Sequence, residues 1–186
     1  MLRWAPLLSL TLVLLPAGAQ EPAPPSGAAL SFARSYHLPR SSAQVYDEAL
    51  AAWQMTFARE PGAKLERTDK EAGVLEGTAR MNYRSAMLTA REETMGVITY
   101  RVLIQAGNGE CRVLITTLKH SGNRITPGGG KDFGLLAEGV RPVKPVPGLG
   151  ARNQERIYAD MKTQASSHLD NLLRAFGSLV RRSAEP

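Results

Sequence analysis

Apolar and polar positions alternate over residues 30–38 and then change to a helical spacing. The alternation predicts a strand, which Pro39 ends. Ser41 and Gln44 carry the sequence signature of a capping box, a signal for a helix N-terminus. Apolar residues then recur at every fourth position, at Val45, Ala49, Trp53 and Phe57. This spacing predicts a helix over residues 42–59 that stops at Pro61-Gly62, with its Trp and Phe in the core.

Four further strands are predicted, with a turn at 69–73 between the first two. Their expected ranges are 63–68, 74–83, 95–105 and 111–118. The second of them places alternate side chains on one face, namely Leu75, Gly77, Ala79, Met81 and Tyr83. Residues 84–93 fit either an extension of the strand pair or a polar loop.

Asn108-Gly109 separates the last two strands and predicts a tight hairpin, because both residues tolerate the positive φ of a type I′ turn. A two-residue loop fixes the register of the strands. The expected facing pairs are Ala106 with Cys111, Ile104 with Val113, Val102 with Ile115, and Tyr100 with Thr117. This face is almost wholly apolar, so we expect it to face the core and to bury Cys111.

The opposite face of the hairpin mixes leucines with polar residues. Its candidate interaction residues are Arg101, Leu103, Arg112, Leu114 and Leu118. Three leucines among charges predict a surface for a partner or ligand. The alternative interpretation is a solvated sheet face that carries single apolar residues.

The C-terminal third begins with a long segment and ends with a long helix. Residues 121–150 contain eight Gly and four Pro and show little periodicity, which predicts a long loop that is either functional or disordered. Asn153 is the expected cap of an amphipathic helix that covers the sheet. Its apolar stripe comprises Ile157, Met161, Ala165, Leu169, Leu172, Leu173, Phe176 and Val180.

The N-terminus has the three regions of a secretory signal peptide. Arg3 lies in the positive start, a leucine-rich run follows, and Ala17-Gly18-Ala19 supplies small residues for cleavage before Gln20. The apolar run is shorter than the roughly 20 residues of a membrane-spanning helix. We therefore expect a secreted or periplasmic protein without a transmembrane anchor after cleavage. Residues 20–28 predict a flexible leader, and residues 29–182 a single domain.

Charge and cysteine content narrow the function classes. The net charge of +6 is spread along the chain, which does not suggest nucleic-acid binding. Cys111 is the one cysteine, so an exported chain of this sequence has no internal disulfide. We expect it to be a small buried core residue rather than a reactive thiol.

No motif identifies a reaction. His37, His120 and His168 lack a metal-binding spacing, although the first two fall at strand ends that the fold can bring together. The segment 126–131 is a glycine-rich run ending in Lys131, but it lacks the Walker spacing. A Gly-x-Ser-x-Gly elbow is absent from the sequence. We therefore predict no catalytic residues, no metal ligands and no cofactor.

Four segments carry a resemblance to a known family. They are SSAQVYDEALAAW at 41–53, DKEAG at 69–73, YRVLI at 100–104 and CRVLITT at 111–117. With the signal peptide and the order of elements, the chain resembles a domain-of-unknown-function family of exported bacterial proteins described as having a TBP-like fold. The resemblance spans about residues 30–180 and is weakest over 121–150. It implies a fold and carries no catalytic residues, and a TBP-like shape in an exported chain does not imply DNA binding.

The sequence thus predicts one α+β domain in β-α-β-β-β-β-α order. An antiparallel sheet of about five strands has one face covered by the N-terminal helix and the long C-terminal helix. The leading functional hypothesis is a non-enzymatic binding or interaction module of the cell envelope, with an envelope protein as partner. The alternative is a small apolar ligand held between the C-terminal helix and the sheet. An uncharacterised hydrolase is the third.

Overall fold

The computed structural model describes residues 27–87, 91–125 and 130–182. The predicted signal peptide and residues 20–26 of the predicted leader lie outside these ranges. The elements in chain order are β1 (Phe32–His37), α1 (Ser42–Met55), β2 (Lys64–Asp69), β3 (Val74–Tyr83), β4 (Gly96–Gly107), β5 (Glu110–Gly122), β6 (Gly134–Leu135) and α2 (Ala151–Arg182). The predicted α+β class is confirmed, and so is the predicted element order, apart from the short strand β6 within the segment predicted as a loop.

One antiparallel sheet has the strand order β1-β5-β4-β3-β2, and β6 pairs with the far end of β5. Helix α1 contacts β4 and β5, whereas α2 contacts α1, β1 and β3. Both helices therefore cover one face of the sheet, the inner face, and no helix of the described residues lies on the opposite, outer face. The side chains of the inner face and the helices form a single apolar core.

The capping box at the start of α1 is confirmed. The Ser41 hydroxyl accepts the Gln44 backbone N–H, and the Gln44 side chain accepts the Ser41 N–H. The helix is shorter than predicted, because it ends at Met55 and a 3₁₀ turn covers Phe57–Arg59. Trp53 and Phe57 are buried as expected.

The Asn108-Gly109 hairpin is also confirmed over its first three predicted pairs. Ala106 faces Cys111, Ile104 faces Val113, and Val102 faces Ile115. Cys111 is fully buried, and burial raises the pKa of its thiol to about 12. At neutral pH the thiol is therefore protonated and inert, which agrees with a core role.

The predicted pairing of Tyr100 with Thr117 is wrong, because a β-bulge interrupts the hairpin there. Arg101 pairs with Thr116, but Thr99 pairs with Lys119, so β5 contains one extra residue. Thr117 has a positive φ of 56°, which is unusual for a β-branched residue. The extra residue reverses the in-out alternation of β5 from that point onward.

Leu118 is the residue that this reversal moves. The sequence placed it on the mixed face with Leu114, but it is fully buried in the core, and so is His120. Leu118 therefore leaves the predicted interaction face. Four of the five predicted residues remain on the outer face: Arg101, Leu103, Arg112 and Leu114.

The segment predicted as a long loop is packed in its described part. Phe133, Leu136 and Val146 are buried, and the Leu136 N–H donates to the Leu118 carbonyl at 2.8 Å. Helix α2 begins at Ala151, two residues before the predicted cap at Asn153. Its predicted apolar stripe is buried except for Leu172, which is partly buried. Among the described residues, no helix is long and apolar enough to cross a membrane.

Candidate functional site

A cleft lined by arginines lies where the C-terminal half of α2 passes the edge strand β1. Its volume is about 460 Å³. The lining residues are Arg34, Tyr36, Arg174, Ser178, Arg181 and Arg182, which we call the arginine cleft. Four of the six side chains are permanently cationic at physiological pH.

Tyr36 forms the rigid base of the arginine cleft. Its hydroxyl donates to the Leu173 carbonyl at 2.5 Å, and its ring lies 5.8 Å from the ring of Phe176, centroid to centroid. Gly177 faces the same ring, and a Cβ there would lie 2.2 Å from a ring carbon. The glycine therefore permits the close approach of α2 to β1 that shapes the cleft. Burial raises the pKa of Tyr36 to about 12, so it stays a neutral donor.

The arginine cleft has more cationic groups than acidic partners to neutralise them. Arg34 Nη2 lies 3.4 Å from Asp170 Oδ1, and the two side chains are 38% and 47% exposed. Arg181 stacks over the Tyr36 ring at 5.6 Å, and Arg174 donates to the amide oxygen of Asn171. Among the described residues, Asp170 is the one carboxylate that forms an ion pair with an arginine of this cleft. Excess positive charge in a concave site concentrates the field and attracts anions.

None of the interaction residues predicted from the sequence lies in this cleft. Arg174, Ser178 and Arg181 follow the i, i+4, i+7 spacing of one helix face, which was the available signal. Arg34 is far away in sequence, and only the packing of α2 on β1 brings it to the other three.

The predicted interaction face has a different electrostatic character. Leu103 and Leu114 are cross-strand partners on the outer face, and Leu114 is 38% exposed. Their charged neighbours are already paired within the sheet, Arg101 with Glu76 and Arg112 with Glu110. The face therefore offers a small apolar pair among neutralised charges.

A cluster of titratable side chains links α2 to the rest of the core. His168 Nε2 lies 2.7 Å from Glu60 Oε2, and the Tyr100 hydroxyl donates to the same oxygen at 3.4 Å. Burial first, and the Glu60 charge second, raise the pKa of Tyr100. The Tyr100 hydroxyl therefore stays protonated at neutral pH, and the contacts of the cluster fit a role in holding α2 in place.

His37 and His120 do not meet. His37 in β1 pairs with Glu110 at the start of β5, whereas His120 lies near the end of β5 and pairs with Ile98 and Gly134. The two histidines are therefore at opposite ends of β5. His120 is buried between the rings of Tyr83 and Phe133, and its Nδ1 accepts the Phe133 N–H at 3.3 Å. In the described part of the chain no three His, Cys, Asp or Glu side chains converge as a metal-binding group.

Comparison with known proteins confirms the resemblance seen in the sequence. Residues 37–121 match the model of a family described as a domain of unknown function (DUF4468) with TBP-like fold. A crystal structure of a TBP-like protein from Parabacteroides distasonis ATCC 8503 is similar at 10% identity and a TM-score of 0.55, over 88% of this chain and 99% of that chain. This likeness shows the TBP-like fold.

A second solved structure is a DUF4468 family protein from Bacteroides ovatus ATCC 8483. It shares 16% identity at a TM-score of 0.49, over 80% of this chain and 86% of that chain. No curated protein matches the chain.

Proposed function

We propose that this protein, a chain with a TBP-like fold, is an exported, non-enzymatic binding module of the bacterial cell envelope that holds an anionic ligand in the arginine cleft. The observation that carries the proposal is the convergence of four arginines on one cleft, whereas Asp170 is the one carboxylate of the described residues that is ion-paired with any of them. Guanidinium groups bind phosphate and carboxylate oxygens through paired N–H donors. The ligand chemistry is therefore a phosphate or carboxylate group.

The packing of the core supports this ligand over a small apolar one. The α2 side chains that face the sheet, such as Met161, Leu169 and Phe176, are fully buried against it. The cleft between the C-terminal half of α2 and the edge strand β1 has a cationic lining. A cationic cleft penalises an apolar ligand, because the guanidinium groups would lose hydration without gaining a partner.

Binding of inorganic pyrophosphate, measured by titration calorimetry, tests the proposed ligand chemistry. We expect the triple variant Arg34→Gln, Arg174→Gln, Arg181→Gln to lose at least about tenfold in affinity, because hydrogen bonds to charged groups contribute about 1.5–3 kcal/mol each. Vesicles with and without phosphatidylglycerol form a second arm, which distinguishes a lipid headgroup from a free anion.

The matched control removes the same charge from the outer face, with Arg67→Gln, Arg101→Gln and Arg112→Gln. All three control residues are exposed and paired with carboxylates of the sheet. Equal loss in both triple variants would indicate unspecific attraction to a basic protein, and the arginine cleft would then have no special role.

A docking function of the outer face is the second candidate. The half-exposed pair of Leu103 and Leu114 favours it, because the pair lies on a face that no described helix covers, with Arg101 and Arg112 at its sides. The outer-face triple variant also tests this candidate, because loss of an envelope partner in that variant alone would place the interaction there.

Export is the part of the proposal that the N-terminal pattern supports. We expect the protein purified from its native host to begin at Gln20, because Ala17-Gly18-Ala19 fits the small-residue rule of signal peptidase. N-terminal sequencing of the envelope and cytoplasmic fractions measures this directly. A mature protein that retains Met1 and stays in the cytoplasmic fraction would contradict export.

A further inference from the structure

A second cavity lies at the end of the sheet that is remote from the Asn108-Gly109 hairpin. Its volume is about 570 Å³, within the usual size of small-molecule sites. We call it the sheet-end pocket, and its lining residues are Asn82, Tyr83, Arg84, Met95, Gly96, Val97, Ser121, Gly122, Asn123 and Arg124. It shares no residue with the arginine cleft.

The sheet-end pocket lies where the C-terminal ends of β3 and β5 meet the N-terminal end of β4. Asn82, Val97 and Ser121 lie in one cross-strand row, and the next row contains Gly96 and Gly122. A Cβ at Gly96 would lie 2.1 Å from the Ser121 carbonyl oxygen, so the strand approach requires glycine there. A Cβ at Gly122 would lie 2.7 Å from the Gly130 carbonyl carbon, so both glycines permit close backbone contacts at this end of the sheet.

The lining combines an apolar floor with polar and cationic groups. Met95 and Val97 are partly exposed, and the Asn82 amide and Ser121 hydroxyl stand beside them. Arg84 and Arg124 are exposed on opposite connections of the rim. Among the ion pairs of the described residues, none involves either arginine.

Both rim arginines sit on anchored backbone. The Arg84 carbonyl accepts the Gln164 side-chain amide of α2 at 3.2 Å. On the other connection, the Asn123 N–H donates to the Met95 carbonyl at 2.7 Å, and the Asn123 side chain accepts the Ile125 N–H across Arg124. Two carboxylates of the described residues are bound to the lining: Asp132 accepts the Gly122 N–H, and Asp160 accepts the Tyr83 hydroxyl at 2.8 Å.

We infer that the sheet-end pocket is a binding site for a small organic carboxylate with an apolar body. The apolar part would lie on Met95 and Val97, and the carboxylate would bridge the guanidinium groups of Arg84 and Arg124. Arginine suits this task because its planar donors match the two oxygens of a carboxylate. The site is independent of the arginine cleft and of the function proposed for it.

Titration of the full chain with 4-phenylbutyrate, followed by ligand-observed NMR, tests the inference. We expect saturable binding that weakens at least tenfold in the double variant Arg84→Gln, Arg124→Gln. The neutral analogue 4-phenylbutanol should bind at least tenfold more weakly than the acid to the unchanged protein. The double variant Arg67→Gln, Arg152→Gln is the charge-matched control, because both arginines are exposed and lie outside the two cavities. It should bind the acid as the unchanged protein does.

Three results would overturn the inference. One is no saturable binding of 4-phenylbutyrate, and another is equal affinity for the acid and the alcohol. The third is equal weakening in the two double variants, which would indicate general attraction of the acid to a basic chain. Circular dichroism of each variant checks that the fold is retained. Because all four substituted arginines are at least partly exposed, we expect no loss of structure.

Discussion

Replacing Leu118 by alanine is expected to lower the free energy of unfolding by about 2–5 kcal/mol, the range for loss of a buried leucine side chain. Leu118 has no exposed surface and belongs to the main core cluster. Its backbone carbonyl also accepts the Leu136 N–H, so the residue lies where β5 meets the segment that follows it. Denaturant unfolding with a two-state fit measures the effect.

Leu114→Ala is the matched control, since it is the same substitution in the same strand four residues away. Leu114 is 38% exposed on the outer face, and we expect a change within about 0.5 kcal/mol. The large difference follows from the β-bulge, which turns Leu118 inward while Leu114 points outward. Equal effects of the two substitutions would contradict the bulged register.

Acid is expected to destabilise the protein through His120, by roughly 3 kcal/mol between neutral pH and about pH 4. Burial lowers the pKa of His120 to about 4, against smaller opposing effects of the Thr94 backbone and the Asp132 charge. In the unfolded chain the same imidazole has a pKa of about 6.5. Below that pH the unfolded state binds a proton that folded His120 accepts only near pH 4, so the unfolding free energy falls as the pH falls.

The variant His120→Asn removes the titrating imidazole and keeps an amide oxygen near the position of Nδ1, which accepts the Phe133 N–H. We expect its unfolding free energy, measured by denaturant titration across the same pH range, to fall less steeply than that of the unchanged protein. His37→Asn is the matched control, because it makes the same substitution at an exposed histidine outside the core. A constant offset between the His120 variant and the unchanged protein across the range would show that His120 does not cause the acid sensitivity.

Local patterns in the sequence determined most of the secondary structure. The capping box at Ser41 and the Asn108-Gly109 turn both depend on residues within a few positions of each other. Both could therefore be predicted from the sequence. The stripe of α2 and the alternation of β3 report which side of each element is apolar, and burial followed that pattern. Together with the motifs of the resemblance, these features were enough for the α+β class.

The bulge at Thr117 could not be seen in the sequence. A bulge with positive φ usually carries Gly or Asn, and a threonine at that position gives no such signal. Strict alternation therefore predicts Leu118 on the outer face and Tyr100 opposite Thr117. Both predictions are wrong. The register past that point depends on how β5 contacts β4 and β6, and those contacts are distant in sequence.

The binding surfaces were decided by tertiary structure alone. Arg34 and Arg174 are separated by most of the chain, and they share a cleft only because Gly177 lets α2 approach Tyr36 closely. The sheet-end pocket likewise needs the ends of three strands and two connections in one place. Sequence determines faces and turns through neighbouring residues, because those signals are local. A cleft joins surfaces of separate elements, and their meeting is fixed by how the core packs.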